Sequence, residues 1–293
     1  MSAIKTEKLT KYYGKSRGII DLNLEIEQGE FFGFIGPNGA GKSTTIRTLL
    51  GLIKPGKGRA TIFGKDIVQD KTAILERTGY LPSEATFYSG MKVKDIIKLS
   101  ADLRKKNCKE EAKRLCERLQ LETNKRIEDL SFGNRKKVGI ICALQHQPEL
   151  LILDEPTSGL DPLMQHEFFE ILRERNAEGT TIFMSTHILS EVQQNCNRAA
   201  IIREGRLIAC DTVDSLAKTK AKRVTLKGDF AADRLEEVRD LKVSDGLMSF
   251  LYSGEISELI HRMSESQIED LTICEPDLEE IFMHYYEGGG RQL

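Results

Sequence analysis

The chain has 293 residues, 40% of them hydrophobic and 30% charged, with a formal net charge of −2. That length and apolar fraction describe one large folded domain or two of ordinary size, whose core needs no disulfide or metal to hold it together. The near-balanced charge gives no reason to expect nucleic acid or an anionic membrane surface as a dedicated partner.

The six cysteines (Cys108, Cys116, Cys142, Cys196, Cys210 and Cys274) are scattered without a C-x-x-C pair. That spacing argues against a zinc site and a disulfide framework, and for a reducing, cytosolic setting. The opening stretch MSAIKTEKLTKYY lacks the long apolar run of a signal peptide, and runs such as Val138 to Leu144 are too short to span a bilayer. The chain is expected to be soluble by itself and to serve a membrane, if it does so, from the cytosolic side through a separate partner.

The first thirty residues alternate apolar and polar positions, as at Leu22, Leu24 and Ile26, which predicts half-buried antiparallel strands. A short apolar run, Phe31 to Ile35, then enters a glycine-rich loop, after which Ile46, Leu49, Leu50 and Ile53 recur at helical spacing. The loop, Gly36-Pro37-Asn38-Gly39-Ala40-Gly41-Lys42-Ser43, matches G-x-x-x-x-G-K-[ST]. Its glycines let the backbone turn tightly and aim N–H groups at phosphate oxygens, beside the positive end of the following helix. Lys42 can reach the β- and γ-phosphates of a nucleotide, and the Ser43 hydroxyl can ligate Mg²⁺; Thr44 closes the nucleotide-binding stretch.

From Val93 to Leu119 the pattern predicts helices whose lysine- and arginine-rich faces read as solvated rather than as a binding patch. Two more apolar strands follow, Leu150 to Leu153 and Thr181 to Met184, each ending in polar residues that could face a ligand. A buried strand holds the acid at its end rigidly, so Asp154 is the natural Mg²⁺ partner. Glu155 beside it can orient and deprotonate an attacking water. The competing reading makes both carboxylates caps of a helix beginning at Pro156; the phosphate loop upstream weighs against it.

Near Asp211 to Lys222 the chain turns polar and lysine-rich, which places a domain boundary and gives units of residues 1–215 and 216–293. In the second unit Val224 and Leu226 predict a strand and Ala231 to Val238 a helix. Two strands are expected at Leu241 to Val243 and Leu247 to Leu251, around Gly246. Ile256, Leu259, Ile260 and Met263 form one helix face, followed by a strand at Leu271 to Ile273. Asp277 to Tyr286 closes as a helix with Pro276 at its first turn. The order βαββαβ resembles a ferredoxin-like unit.

Leu130-Ser131-Phe132-Gly133-Asn134, about twenty residues before Asp154, resembles the L-S-G-G-Q signature of ATP-binding-cassette (ABC) proteins. The resemblance implies an α/β fold of the phosphate-loop NTPase class. Its cassette would have a parallel-sheet core subdomain, an antiparallel β subdomain and a helical subdomain, followed by a small α+β C-terminal domain. It also implies a dimer with ATP sandwiched between the phosphate loop of one copy and the signature of the other. Ser131 and Gly133, with Asn134 beside them, would then approach the γ-phosphate held by the opposite protomer. Phe132 replaces a glycine and Asn134 the glutamine, a departure that bears on the affinity of the closed dimer more than on its existence.

The other family elements follow in order. Ser158-Gly159-Leu160-Asp161 resembles the D-loop, which would link the two composite sites. Ser185-Thr186-His187 resembles the switch region, with His187 on the γ-phosphate. Tyr13 matches the aromatic that stacks on adenine, with Tyr12 as the competing candidate. In Gly79-Tyr80-Leu81-Pro82-Ser83, Ser83 stands where the family has a glutamine that touches Mg²⁺ and senses the membrane partner, and Glu84 follows. The sequence leaves open whether Ser83, through a water, or Glu84 takes over that contact.

These matches cover residues 1 to about 210. Over both domains the chain is similar to subunits of bacterial drug, antibiotic-peptide and polysaccharide exporters, in which cassette and membrane domain are separate polypeptides. Glu275-Pro276-Asp277-Leu278-Glu279-Glu280-Ile281-Phe282 resembles the C-terminal extension of that group. The implied cofactors are ATP and Mg²⁺. The implied partners are a separate transmembrane permease and a second copy or a paralogous ATPase, with no nucleic acid. The implied place is cytoplasmic, on the inner face of the membrane. Small-molecule kinases lack a signature and D-loop. Chromosome-maintenance types place long coiled coils where the gap here is about ninety residues, and ribosome-acting types carry two cassettes where this chain has one. A regulatory cassette that binds ATP without turnover is opposed by the presence of both Glu155 and His187.

Overall fold

The computed structural model describes residues 1–217, 221–230, 232, 235, 237–244, 246–264 and 266–274. The chain divides into two compact units, Met1–Val213 and Asp214–Leu293. Among the described residues no helix is long and apolar enough to cross a membrane.

The first unit opens with β1 (Ser2–Tyr13) and β2 (Ser16–Glu27), paired antiparallel as the alternation predicts. One set of alternate positions buries Leu22, Leu24 and Ile26. β3 (Phe31–Ile35) is buried along its whole length, as a central strand covered on both faces must be. α1 (Lys42–Leu49) follows the phosphate loop, and β4 (Lys57–Ile62) and β5 (Lys65–Asp66) extend the first hairpin into a sheet of order β2-β1-β4-β5. After α2 (Lys71–Glu76) and β6 (Thr78–Leu81) comes a helical stretch of α3 (Val93–Leu103), α4 (Lys109–Arg118) and α5 (Phe132–Leu144). The unit then runs through β7 (Leu150–Asp154), α6 (Pro162–Ala177), β8 (Thr181–Thr186), α7 (Leu189–Asn195), β9 (Arg198–Arg203) and β10 (Arg206–Thr212).

The central sheet has the order β10-β9-β3-β8-β7-β6. It is mixed: β9, β3, β8, β7 and β6 run parallel, and β10 returns antiparallel on the edge. Register aligns the carboxyl ends, with Ile35 opposite Thr186, Asp154 opposite Ser185, and Leu81 opposite Leu153. The loops that leave β3, β6, β7 and β8 therefore start along one edge of the sheet, where open parallel sheets hold their ligands. Phe34 and Phe183 meet below that edge with ring centroids 5.3 Å apart, and Ile46 and Leu49 of α1 belong to the same core.

The helix after the phosphate loop is shorter than the apolar spacing suggests. It ends at Leu49, because Gly51 takes a left-handed φ of 62° and the N–H groups of Gly51 and Leu52 bond back to the carbonyls of Thr48 and Arg47. Leu50 stays buried beyond the helix end, while Ile53 falls in the following turn.

A short helix, α8 (Val213–Ala217), lies at the junction of the two units. The second unit holds β11 (Lys222–Asp229), β12 (Val238–Ser244), β13 (Leu247–Tyr252), α9 (Ile256–Ser264) and β14 (Gln267–Cys274). Its strands form an antiparallel sheet of order β12-β13-β11-β14. Val224, Leu226, Phe250, Tyr252, Leu259 and Met263 make a core of their own. Val238, placed at the end of a helix by the sequence pattern, opens β12 instead; most of the preceding stretch from Ala231 lies outside the described residues. The helix expected over Asp277 to Tyr286, and with it the stretch Glu275 to Phe282, also lies outside them.

Candidate nucleotide site

α1 starts directly after Gly41, whose φ of 111° is left-handed. A Cβ there would also lie 2.8 Å from the Gly18 carbonyl oxygen. Gly41 has no side chain to cap the first N–H groups, and the first turn of α1 carries no acidic residue. Those donors and the positive end of the helix dipole are thus left to an anionic ligand. Lys42 is 6% exposed, and its ammonium donates to the carbonyl oxygens of Gly36 (2.6 Å) and Pro37 (3.3 Å). The same ammonium lies 3.0 Å from Glu155 Oε1.

Asp154 ends β7 fully buried. Its Oδ1 accepts a hydrogen bond from the Ser185 hydroxyl at 2.6 Å, and its Oδ2 has no hydrogen-bond partner among the described residues. An unpaired buried carboxylate oxygen is costly, and a cation relieves that cost. No cluster of His, Cys, Asp and Glu able to hold a metal by itself occurs among the described residues. The donor set therefore fits a hard cation that takes the rest of its oxygens from the Ser43 hydroxyl, water and bound phosphate.

Glu155 follows with a φ of 47°, a strained conformation for a residue with a side chain. Its Oε2 lies 2.7 Å from His187 Nδ1, so one carboxylate bridges the phosphate-loop lysine and the switch histidine. The alternative in which these acids cap a helix at Pro156 fails. The next helix, α6, begins at Pro162, and Asp161 is its cap, accepting from the Met164 N–H at 3.0 Å.

Two residues in this region carry contacts that the sequence did not single out. Glu191 on α7 is buried, and its two carboxylate oxygens accept from the hydroxyls of Thr157 (2.5 Å) and Thr186 (2.7 Å), tying the loop after β7 to the last residue of β8. Burial raises its pKa, against the pull of both hydroxyls. Lys136 on α5 is 2% exposed and donates to the carbonyl oxygens of Pro82, Ser83 and Glu155. Burial lowers its pKa to about 8, against the attraction of Asp154 and Glu155. Neither residue belongs to a spaced motif. The only sequence signal is that Lys136 shares a helix face with Ile140 and Ala143.

The signature stretch lies at the start of α5. The Ser131 hydroxyl caps that helix, accepting from the Asn134 N–H at 3.3 Å, and both Ser131 and Phe132 are exposed. A Cβ on Gly133 would stand 2.5 Å from the Gly159 carbonyl oxygen, and one on Gly159 would stand 2.2 Å from the Phe132 ring. Phe132 and Gly133 thus pack on the Ser158-to-Asp161 turn of the same chain, and only glycine fits either contact. At the far end of the loop region, a Cβ on Gly18 would meet Thr44 at 2.9 Å and the Tyr13 ring at 3.3 Å. Tyr13 therefore stands beside the phosphate-loop helix with 46% of its surface exposed. Glu84 is exposed and lines a shallow cavity with Phe87, Phe132 and Arg135.

The sheet edge, the phosphate loop, the strand-end acids and the histidine together define a nucleotide-binding protein of the phosphate-loop class. The ABC transporter family pattern matches residues 19–158. The chain is 37% identical, over a 303-residue alignment spanning 98% of each protein, to the bacitracin transport ATP-binding protein BcrA of Bacillus licheniformis. It is 32% identical to the protein of the same name in Enterococcus faecalis, over 98% of this chain and 97% of that one. A solved structure of an ATP-binding subunit of an ABC transporter superposes with a TM-score of 0.70 at 30% identity, covering 73% of this chain and 91% of the other. The chain belongs to the ABC transporter family, as an ATP-binding subunit whose ATP hydrolysis powers transport.

Proposed function

We propose that this ATPase drives a bacterial exporter of antibiotics or drugs, that it works as a dimer on the cytoplasmic face of a separate permease, and that Glu155 is its general base. The observation that carries the base assignment is the Glu155 carboxylate, held 3.0 Å from Lys42 Nζ and 2.7 Å from His187 Nδ1 at the edge where the phosphate loop ends. In this reading the phosphates of ATP dock on the open N-terminus of α1, and Lys42 leaves Glu155 for the β- and γ-phosphates. Glu155 then takes a proton from the attacking water as the water oxygen bonds to the γ-phosphorus and the bond to ADP breaks. His187 steadies the γ-phosphate, and Tyr13 stacks on adenine beside Thr44. A Mg²⁺ held by Ser43 and the free Oδ2 of Asp154 would neutralise charge on the phosphates.

The dimer reading is supported by the exposure of Ser131 and Phe132, which leaves the start of α5 free to meet a nucleotide carried by another copy. The cargo reading rests on likeness to two proteins described as bacitracin transport components. The boundary at 215/216 and a ferredoxin-like identity for the C-terminal unit are part of the same proposal. The strand order second-third-first-fourth with α9 before the last strand favours that identity.

The test is Glu155→Gln. ATP binding should persist while steady-state phosphate release falls by about 10²- to 10⁴-fold. Release close to wild type would remove Glu155 from the base role. A pull-down of the full chain from detergent-solubilised membranes should bring a polytopic membrane protein with it; recovery of the chain alone would overturn the permease reading.

A further inference from the structure

Lys136 stands in the second turn of α5, five residues beyond the cap Ser131. Its ammonium reaches the carbonyl oxygens of Pro82 at 3.1 Å, Ser83 at 2.9 Å and Glu155 at 2.9 Å. An ammonium has three N–H donors, and here each has a backbone acceptor. Its neighbours Arg135 and Lys137 take no part in these bonds.

The three acceptors come from two loops at the active edge. Pro82 and Ser83 follow β6, and Glu155 follows β7 in the left-handed conformation noted above. A residue held at such a φ keeps it only where its surroundings fix the peptide. The Lys136 ammonium supplies the shorter restraint on the outgoing side of Glu155 at 2.9 Å, with the Ser158 N–H donating to the same carbonyl at 3.4 Å, while the Glu155 N–H is fixed on the other side by the Ser185 carbonyl at 3.0 Å. The peptide of Glu155 is thus clamped between β8 and α5.

We propose that Lys136 is a positioning residue for hydrolysis: it sets the direction of the Glu155 carboxylate by tying the Glu155 carbonyl and the Ser83 loop to the helix that begins with the signature. This inference rests on the reading of Glu155 as the base. Lys136 touches no reacting atom in it: the Pro82 and Ser83 carbonyls anchor its ammonium, and it acts on hydrolysis through Glu155.

The test compares full-length wild type, Lys136→Met and Lys136→Gln for melting, ATP affinity and steady-state hydrolysis. Both replacements are one heavy atom shorter than lysine; methionine loses all donors, whereas the glutamine amide keeps two N–H groups. Lys136→Met should lose about 10²-fold in kcat, the size of effect that a displacement of the order of 1 Å produces at a reacting group. Its KM for ATP should stay within about threefold of wild type, because binding is not the step that Lys136 serves. Lys136→Gln should recover part of the lost kcat. In a Glu155→Gln background, Lys136→Met should change the residual rate by less than about twofold, since two residues acting through one group are not additive.

An unchanged kcat in a folded Lys136→Met protein overturns the proposal. So does a loss carried by KM, or losses that multiply in the double variant. Should Lys136→Met fail to melt cooperatively, Lys136→Gln carries the same comparisons. Near wild-type turnover in Glu155→Gln alone would instead overturn the base reading, whatever Lys136 does.

Discussion

Two helices in this chain begin at points that the proposed mechanism aims at one phosphate group, and they are built differently. α1 begins after Gly41, with no side-chain cap and no acid in its first turn. α5 begins at Ser131, whose hydroxyl already accepts the Asn134 N–H. The backbone donors of the first helix end have no side-chain cap to release, and only Lys42 beside them must leave the Glu155 carboxylate when an anion arrives. At the second, the Ser131 oxygen can keep that cap, worth about 1 kcal/mol, while its O–H donates to phosphate a charge-assisted bond worth about 1.5–3 kcal/mol. In the proposed mechanism nucleotide binds first at α1, and closure onto α5 of another copy follows as the weaker, reversible step.

The largest effect that separates the two ends belongs to Lys42. Lys42→Ala removes the charge that the phosphates lean on and should raise the dissociation constant for ATP by about 10- to 100-fold in a calorimetric titration. An unchanged constant would mean that the open end of α1 is not the primary site. His187→Ala should act on chemistry instead, with hydrolysis slowed by about tenfold or more while ATP affinity stays nearly normal, as expected of a contact made in the transition state. The reverse pattern in these two variants would exchange their roles.

Ser131→Ala tests the other end more gently. Loss of the cap should cost about 1 kcal/mol, or roughly 2–4 °C in Tm for a domain of this size. It should also raise the protein concentration needed for half-maximal hydrolysis, because the serine serves a site shared between copies. A change in ATP affinity as large as that of Lys42→Ala would contradict the ordering of the two steps. The smallest effect is expected at Ser83→Gln, which restores the family amide on the loop after β6. Hydrolysis should hold or rise by no more than a few-fold, and a steep fall would show that the hydroxyl itself is needed.

The sequence made the edge of the sheet legible because chemistry there follows chain order. An apolar strand leads into each of the phosphate loop, the acids at Asp154 and Glu155, and the histidine at His187, and parallel register brings those three loops to one edge. The alternation in the first strands and the inward positions Ile256, Leu259 and Met263 of α9 were legible for the same reason, since burial repeats with a fixed period, whereas Ile260, expected on the same face, is half exposed. What stayed hidden depends on three-dimensional contact. Within Arg135-Lys136-Lys137 three cations look alike, and only the packing of α5 against the β6 and β7 loops sets the middle one on their backbone carbonyls. The contact of Phe132 with Gly159 joins stretches whose separation carries no spacing signal. Apolar spacing overruns the end of α1 because Leu50 is buried past the helix, where Gly51 has already turned the chain.

The mass of the full chain in solution decides whether the two helix ends meet on one nucleotide. Light scattering on the Glu155→Gln protein, which should hold ATP without consuming it, is the direct measurement. With Mg²⁺ and ATP the mass should be twice the chain mass of 33.0 kDa, and without nucleotide it should be 33.0 kDa. A mass of 33.0 kDa in both conditions, in a protein shown to have bound ATP, would contradict a site completed by the signature of a second copy.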